Sequence, residues 1–323
     1  RIVGEDGGAL GFAEAVHQPE FKNHRLIYDG VEGGAIMDWK KFFGKEVANR
    51  VESPAKENLH SMKGMKEDGK TIDWETREAP VCSSTVEDFY FHLDDAVKQG
   101  CPFIYVLDSM DALTTADETD KFQEVKKAKA KGKETTGSYG TSKAKLNSSG
   151  IRQVLAGLRD TGSILIVITQ TRANIGFGAM FNPKTRGGGH ALTFYSQLEL
   201  WLSVDETIKK TVKGKSRQLG IVSKIKVKKN RLTGKLREVE IPILWSYGID
   251  DNRSMIRYLV EEGHWKEEKG VIDAKEFKFK GSEDKLVTKL EQEGLVKELK
   301  ALVGDVWNEV EKACEQEREP RYQ

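Results

Sequence analysis

The chain has 323 residues, of which 38% are hydrophobic and 32% charged. That is enough apolar material for a core under a highly charged surface, and it excludes a wholly disordered chain, a collagen-like repeat and a disulfide-stapled miniprotein. With 52 Lys+Arg against 51 Asp+Glu the net charge is +1, and at roughly 100–200 residues per domain the length predicts one large domain and a smaller one.

Apolar runs such as Ile164–Ile168 fall far short of the ~20 residues a membrane helix needs, and no secretory signal is visible. Cys82, Cys101 and Cys314 lack metal-ligand spacing, so the expectation is a reduced, cytoplasmic protein. The chain opens on Arg1 at a strand-like stretch, which predicts that its natural N-terminus is missing.

In chain order, Leu26–Tyr28, Phe103–Leu107, Ile164–Thr169 and Leu198–Leu202 read as short apolar strands. Helical periodicity lies between them at Val86–Val97 and at Ile151–Leu158, the latter with Ser148 or Ser149 as N-cap. Strands alternating with helices predict an α/β fold with a mainly parallel central sheet flanked by helices. After Gly220 the pattern becomes a β-hairpin, Ile221–Lys228 and Leu236–Leu244 around Asn230–Gly234. A helix at Ser254–Glu262 follows, then a small α-rich tail with helices at Ser282–Glu293 and Leu295–Ala313. The predicted domains are 1–262 and 263–323, with insertion-like loops at 52–80 and 114–147 and a Gly-rich loop at 171–190.

The near-zero net charge conceals a polarised chain. Residues 121–145 hold eight Lys and two Glu, and residues 205–237 hold twelve Lys or Arg against Asp205 and Glu206. Residues 261–323 hold 17 acids and 12 bases.

Three strand ends carry the chemistry. Phe103–Leu107 runs into Asp108-Ser109, a carboxylate and a hydroxyl at the C-terminal edge of a parallel sheet, where α/β proteins bind ligands. Asp108 reads equally well as a Mg²⁺ ligand of a nucleotide site and as a cap for the next turn. Asp29-Gly30-Val31-Glu32-Gly33-Gly34 follows the Leu26 strand; Glu32 is either a water-orienting carboxylate or part of a Gly-rich turn. Gln170 ends the Ile164 strand, where an amide can sense a phosphate, and the loop beyond it carries Arg172, Phe181, Lys184, Arg186, Gly187 and Gly188. Bases and aromatics on such a loop suit single-stranded nucleic acid; a solvated loop is the alternative.

Taken together these segments resemble the RecA-family recombinases, especially phage-encoded ones. The resemblance runs from about Leu26 to the C-terminus and rests most on Ile168-Thr-Gln170-Thr-Arg172-Ala-Asn-Ile-Gly176, Met180-Phe-Asn-Pro183 and Gly187-Gly-Gly-His-Ala191-Leu-Thr-Phe194-Tyr195. Lys226-Val-Lys-Lys229-Asn230-Arg231, Tyr247-Gly-Ile249 and Gly263-His-Trp265 extend it. It implies a RecA-type P-loop ATPase core with a small C-terminal domain, using ATP and Mg²⁺, assembled as a homo-oligomeric filament on single-stranded DNA that pairs with homologous duplex DNA. It also implies roles. Asp108 becomes the Walker B carboxylate and Mg²⁺ ligand with Ser109 beside it, Glu32 the water-activating glutamate, and Gln170 the switch to the DNA-binding loop. Phe194 becomes an interface residue, Lys229 and Arg231 act on ATP across the subunit interface, and Lys143 and Lys145, with Lys126, Lys127, Lys129, Lys131 and Lys133, belong to the first DNA-binding loop. An acidic C-terminal end competing with DNA is a further implication.

The sequence departs from the family twice. Asp29 and Glu32 are separated by two residues rather than one. At the place expected for Walker A stands Gly4-Glu-Asp-Gly7-Gly8-Ala9-Leu10-Gly11, without the Lys that meets phosphate or the Ser/Thr that meets Mg²⁺. Gly64-Met-Lys-Glu-Asp-Gly69-Lys70-Thr71 matches the motif literally, but no apolar strand precedes it. Two further readings therefore stand beside the recombinase: a RecA-fold DNA-binding or filament-partner protein without ATPase activity, and a hexameric helicase on the same fold.

Overall fold

The computed structural model describes residues 11–33, 38–56, 81–132, 142–173, 184–186, 189–315 and 318, with 172–173 and 184–186 described in backbone only. Both the Gly4–Gly11 stretch up to residue 10 and Gly64–Thr71 lie outside the described residues. By compactness the chain divides into Arg1–Ser196 and Gln197–Gln323.

In the first unit two of the apolar runs become its central strands, β1 (Arg25–Gly30) and β3 (Phe103–Asp108). They lie between β2 (Val51–Glu52) and β4 (Ile164–Val167) in the order β2-β1-β3-β4, and every pairing is parallel. All six residues of β3 are buried, the uninterrupted pattern of a strand covered on both faces. Alternation then sorts the side chains. Ile27, Phe103, Tyr105 and Leu107 face a layer built from α3 (Val86–Lys98) and α5 (Ser142–Thr161). Leu26, Tyr28, Ile104 and Val106 face a helix over residues 11–17 (α1) and α2 (Trp39–Arg50).

The helix α3 starts on a capping box, Thr85 accepting from the Asp88 N–H while the Asp88 carboxylate accepts from Thr85. Its apolar stripe Val86, Phe89, Tyr90, Leu93 and Ala96 is buried. The helix α5 begins at Ser142, nine residues before the expected Ile151 start. Ser148 and Ser149 are therefore interior residues rather than caps, and the Ser149 hydroxyl donates back to the Lys145 and Leu146 carbonyls. The polar first turns of α5 carry little apolar periodicity, which is why the sequence hid them. Between α3 and α5 lies α4 (Ala116–Ala130), capped by Thr115 and Glu118 and burying none of its residues. β5 (Thr171–Ala173) and β6 (Lys184–Arg186) form a small antiparallel pair, and α6 (His190–Tyr195) ends the unit.

The second unit holds the antiparallel sheet β10-β9-β8-β7, from β7 (Leu198–Val212), β8 (Lys215–Asn230), β9 (Glu238–Leu244) and β10 (Gly248–Ile249). The expected hairpin around Asn230–Gly234 is present as the β8–β9 pairing. The Leu198 strand, expected among the alternating strand–helix units, instead pairs antiparallel with β8 over the whole of its length. Then come α7 (Asp251–Glu261), β11 (Lys266–Glu268), β12 (Val271–Ala274), β13 (Phe279–Gly281), α8 (Glu283–Gln292) and α9 (Val296–Ala313). The tail thus carries a three-stranded antiparallel sheet beside its expected helices. Met255, Ile256 and Leu259 of α7 share one core with Trp265, Ile272, Leu286 and Leu299.

Candidate functional site

Parallel register brings the strand ends together: Gly30 pairs with Asp108, and Leu107 with Val167. At this edge the Ser109 hydroxyl donates to Glu32 Oε1 at 2.5 Å, and Gln170 Nε2 donates to the same oxygen at 2.9 Å. The Glu32 N–H donates to the Asp108 carbonyl at 3.2 Å, which fixes the turn after β1 against β3. Glu32, Asp108, Ser109 and Gln170, drawn from three separate stretches of sequence, therefore meet as expected from their strand ends. The longer spacing between Asp29 and Glu32 does not prevent it, because residues 31–33 form a turn. The Asp108–Ser109 peptide is cis.

Asp108 is buried, and its Oδ2 accepts from Tyr28 OH at 2.5 Å. Burial raises its carboxyl above the ordinary value; the Tyr28 hydrogen bond opposes this, and the nearby Glu32 charge adds to it. Carboxylate and hydroxyl oxygens are the donors Mg²⁺ takes, and it commonly binds through one or two carboxylates with phosphates completing the shell. Asp108, Ser109 and Glu32 fit that demand. Among the described residues no group of three or more His, Cys, Asp or Glu could hold a metal by itself.

Asp29, one residue along β1 from Tyr28, points to the opposite face. It is buried and accepts from the Ser83 N–H at 2.8 Å, the Ser83 hydroxyl at 2.5 Å and Tyr105 OH at 2.6 Å. The Ser83 hydroxyl also lies 2.9 Å from His92 Nδ1. Burial, and then the Asp29 charge, push the neighbouring Cys82 thiol up to about 11, so this thiol stays protonated and unreactive at neutral pH. The two strand-end aspartates have different work: Asp108 faces the site, and Asp29 locks β1 to β3 and to the Ser83 segment.

Sequence reasoning missed Tyr28, Ser83 and Asp111. The Asp111 carboxylate accepts from the Gln170 backbone N–H at 2.7 Å. A second acid three residues after Asp108 was the only signal for it. Of the basic residues assigned to the first loop, Lys126, Lys127 and Lys129 are exposed on α4, Lys131 is exposed just after it and Lys145 is exposed on α5, whereas Lys133 lies outside the described residues. Lys143 turns inward, its ammonium donating to the carbonyls of Met110, Asp111 and Leu113. In the second loop Arg172, Lys184 and Arg186 stand on the paired backbones of β5 and β6; their side chains, and all of Phe181, Gly187 and Gly188, lie outside the described residues. Phe194 is 63% exposed and meets Tyr195 edge to face at 5.1 Å.

In the second unit Lys229 and Arg231 flank Asn230 at the end of β8. The Asn230 side chain accepts from the Leu232 and Thr233 N–H groups and donates to Thr233 Oγ1 and the Lys235 carbonyl. Arg231 N–H donates to the Gln197 carbonyl at 2.8 Å. Both cations thus stand on a braced turn.

Known proteins resemble part of this chain. The RecA N-terminal domain family matches residues 92–250. A protein RecA of Cereibacter sphaeroides is 31% identical over 178 residues, 53% of this chain and 45% of the relative. One of Nocardia farcinica is 33% identical over 171 residues, covering 53% and 44%, and one of Tropheryma whipplei 33% over 122, covering 37% and 26%. The matched part of the chain spans less than half the length of these relatives. The match takes in Asp108, Gln170 and the Lys229–Arg231 turn, the parallel sheet of the first unit is the one that resemblance predicts, and residues 92–250 carry a RecA-family domain.

Proposed function

We propose that this protein is an ATP-dependent recombinase that assembles as a filament on single-stranded DNA and pairs it with homologous duplex. The observation that carries this reading is the shared Glu32 oxygen, held at once by Ser109 and by Gln170. A water-activating carboxylate is thereby wired to the residue that opens the Arg172–Arg186 segment.

Asp108 and Ser109 would hold Mg²⁺, which supplies charge neutralisation on the β- and γ-phosphates. Glu32 accepts the proton of the attacking water, the general-base role for which a carboxylate at the sheet edge is suited. To do so, its Oε1 must exchange the Gln170 amide for that water. Gln170 then turns toward the phosphate, and its main chain transmits the change to Thr171 and beyond. Lys229 and Arg231 contact the nucleotide of a neighbouring subunit, and Phe194 lies at that interface. DNA phosphates meet Lys145, Arg172, Lys184 and Arg186, bases meet Phe181, and Gly187 and Gly188 let the backbone approach.

The test is an electrophoretic shift with single-stranded DNA, with and without a nonhydrolysable ATP analogue and Mg²⁺. Tighter binding with the analogue is expected. A folded sample that binds no DNA in either condition rejects the reading. DNA binding that ignores the analogue, with no heat of Mg-ATP binding by calorimetry, would instead identify a DNA-binding protein without ATPase activity.

A further inference from the structure

Four residues follow the Asp108-Ser109 pair, and both segments assigned to DNA are tied to them. From one side the Asp111 carboxylate accepts the backbone N–H of Gln170 at 2.7 Å. Thr171, which begins β5, is the next residue. From the other side Lys143, the second residue of α5, gives its ammonium to three carbonyls of the same turn, those of Met110 at 3.4 Å, Asp111 at 3.5 Å and Leu113. The turn is itself anchored to the sheet, since the Met110 N–H donates to the Ile168 carbonyl at 3.0 Å.

We propose that Asp111 is a positioning residue: it fixes the Gln170 N–H as a pivot, so that when Glu32 is released the change passes forward through Gln170 to Thr171 rather than back into Thr169. The inference rests on the recombinase reading above. Its physical content is a division of labour at one residue. Gln170 Nε2 reaches Glu32 Oε1 at 2.9 Å, a contact that a rotation of the side chain alone can break. The backbone N–H is held by a carboxylate, and a hydrogen bond of that kind is about twice as strong as one between neutral groups. A fixed pivot makes a small rotation at Glu32 into a defined displacement at Thr171, whereas a free main chain would dissipate it. Lys143 ties the start of α5 to the same turn, so the first basic segment is referred to the same pivot. Without Asp111, Gln170 still reaches Glu32, but its response no longer has a fixed direction.

The test uses the full chain and three variants, Asp111→Ala, Asp111→Asn and Lys143→Gln. Amide hydrogen exchange at Gln170 is read without nucleotide. Exchange should quicken by about tenfold or more in Asp111→Ala, the expected consequence of losing a hydrogen bond to a charged group. It should stay near the parent value in Asp111→Asn, whose amide oxygen still accepts. Affinity for single-stranded DNA is then measured with and without the ATP analogue. The ratio should fall toward one in Asp111→Ala and in Lys143→Gln, and return in Asp111→Asn, while affinity for the analogue itself is unchanged. Unaltered exchange in Asp111→Ala overturns the proposal, and so does lost protection with an unaltered ratio. If Asp111→Ala does not fold, loss of the ratio in folded Lys143→Gln supports the shared pivot and its retention overturns it. If the parent chain shows no nucleotide response, the recombinase reading fails, and exchange at Gln170 alone decides whether Asp111 positions it.

Discussion

Asp29 and Asp108 end neighbouring strands of one sheet, yet the pleat sends them to opposite faces and opposite fates. Asp29 satisfies three donors in a closed interior, so Asp29→Ala takes the acceptor from the Ser83 N–H and the Tyr105 hydroxyl. Loss of about 3–5 kcal/mol is expected, read as a lower urea midpoint; a change under 1 kcal/mol would refute the locking role. Asp108 is the reverse case. Its carboxyl is raised in the folded protein, mainly by burial, so the folded state binds more protons than the unfolded one between the ordinary and the raised value. Stability therefore falls as pH rises through that window, and the cost is complete above it. Asp108→Asn keeps an acceptor for Tyr28 and removes the charge. At pH 7 its melting temperature should equal or exceed that of the parent chain, the gap closing as pH falls toward about 4, while response to Mg-ATP is lost. A melting temperature several degrees lower would contradict this.

At the scale of elements, α3 and α5 approach closely because glycines face the contact. A Cβ at Gly150 would lie 2.5 Å from the Tyr90 ring, and one at Gly157 would lie 2.2 Å from Val97 Cγ1. Alanine favours a helix interior by about 1 kcal/mol over glycine, so propensity alone predicts that Gly150→Ala stabilises. Overpacking against a ring costs about 1–3 kcal/mol, and Tyr90 is held by its hydroxyl to Asn147. A net loss is expected, seen as a lower denaturation midpoint at unchanged slope, and a gain would show that the helices can part without cost. The element also shows what was legible. The Val86–Val97 periodicity gave α3 almost to the residue, since an apolar stripe is local. α5 was recognised only from Ile151, because its first two turns are mostly polar and their tertiary contacts, those of Lys143 and Asn147 among them, involve residues far away in sequence.

Over the whole molecule, the charge of +1 is a sum of opposed regions, and within the second unit two of them meet. Glu311 of α9 pairs with Lys235 and with Arg237, the latter at 2.6 Å; the hydrogen bond from Lys235 is the main cause holding the Glu311 carboxyl below its ordinary value. If acids at the C-terminal end compete with DNA for such cations, Glu311→Gln should tighten binding to single-stranded DNA at low salt, with the gain vanishing as salt is raised. Fluorescence anisotropy across a salt series measures it, and unchanged affinity at low salt would dismiss the competition at this site. Removing everything after Gly263 is the poorer experiment, because that segment shares its core with α7. The sequence by itself determined the apolar strands, the acids and amide at their ends, and the hairpin, because each is written in a run of neighbouring residues. Only the tertiary structure decided that Ser109 and Gln170 meet on one oxygen of Glu32, that Asp29 serves the interior, that Lys143 turns inward, and that the tail contains a sheet. Those outcomes depend on strand register and on pairing across 77 and 138 residues, and no local pattern encodes a register between segments so far apart.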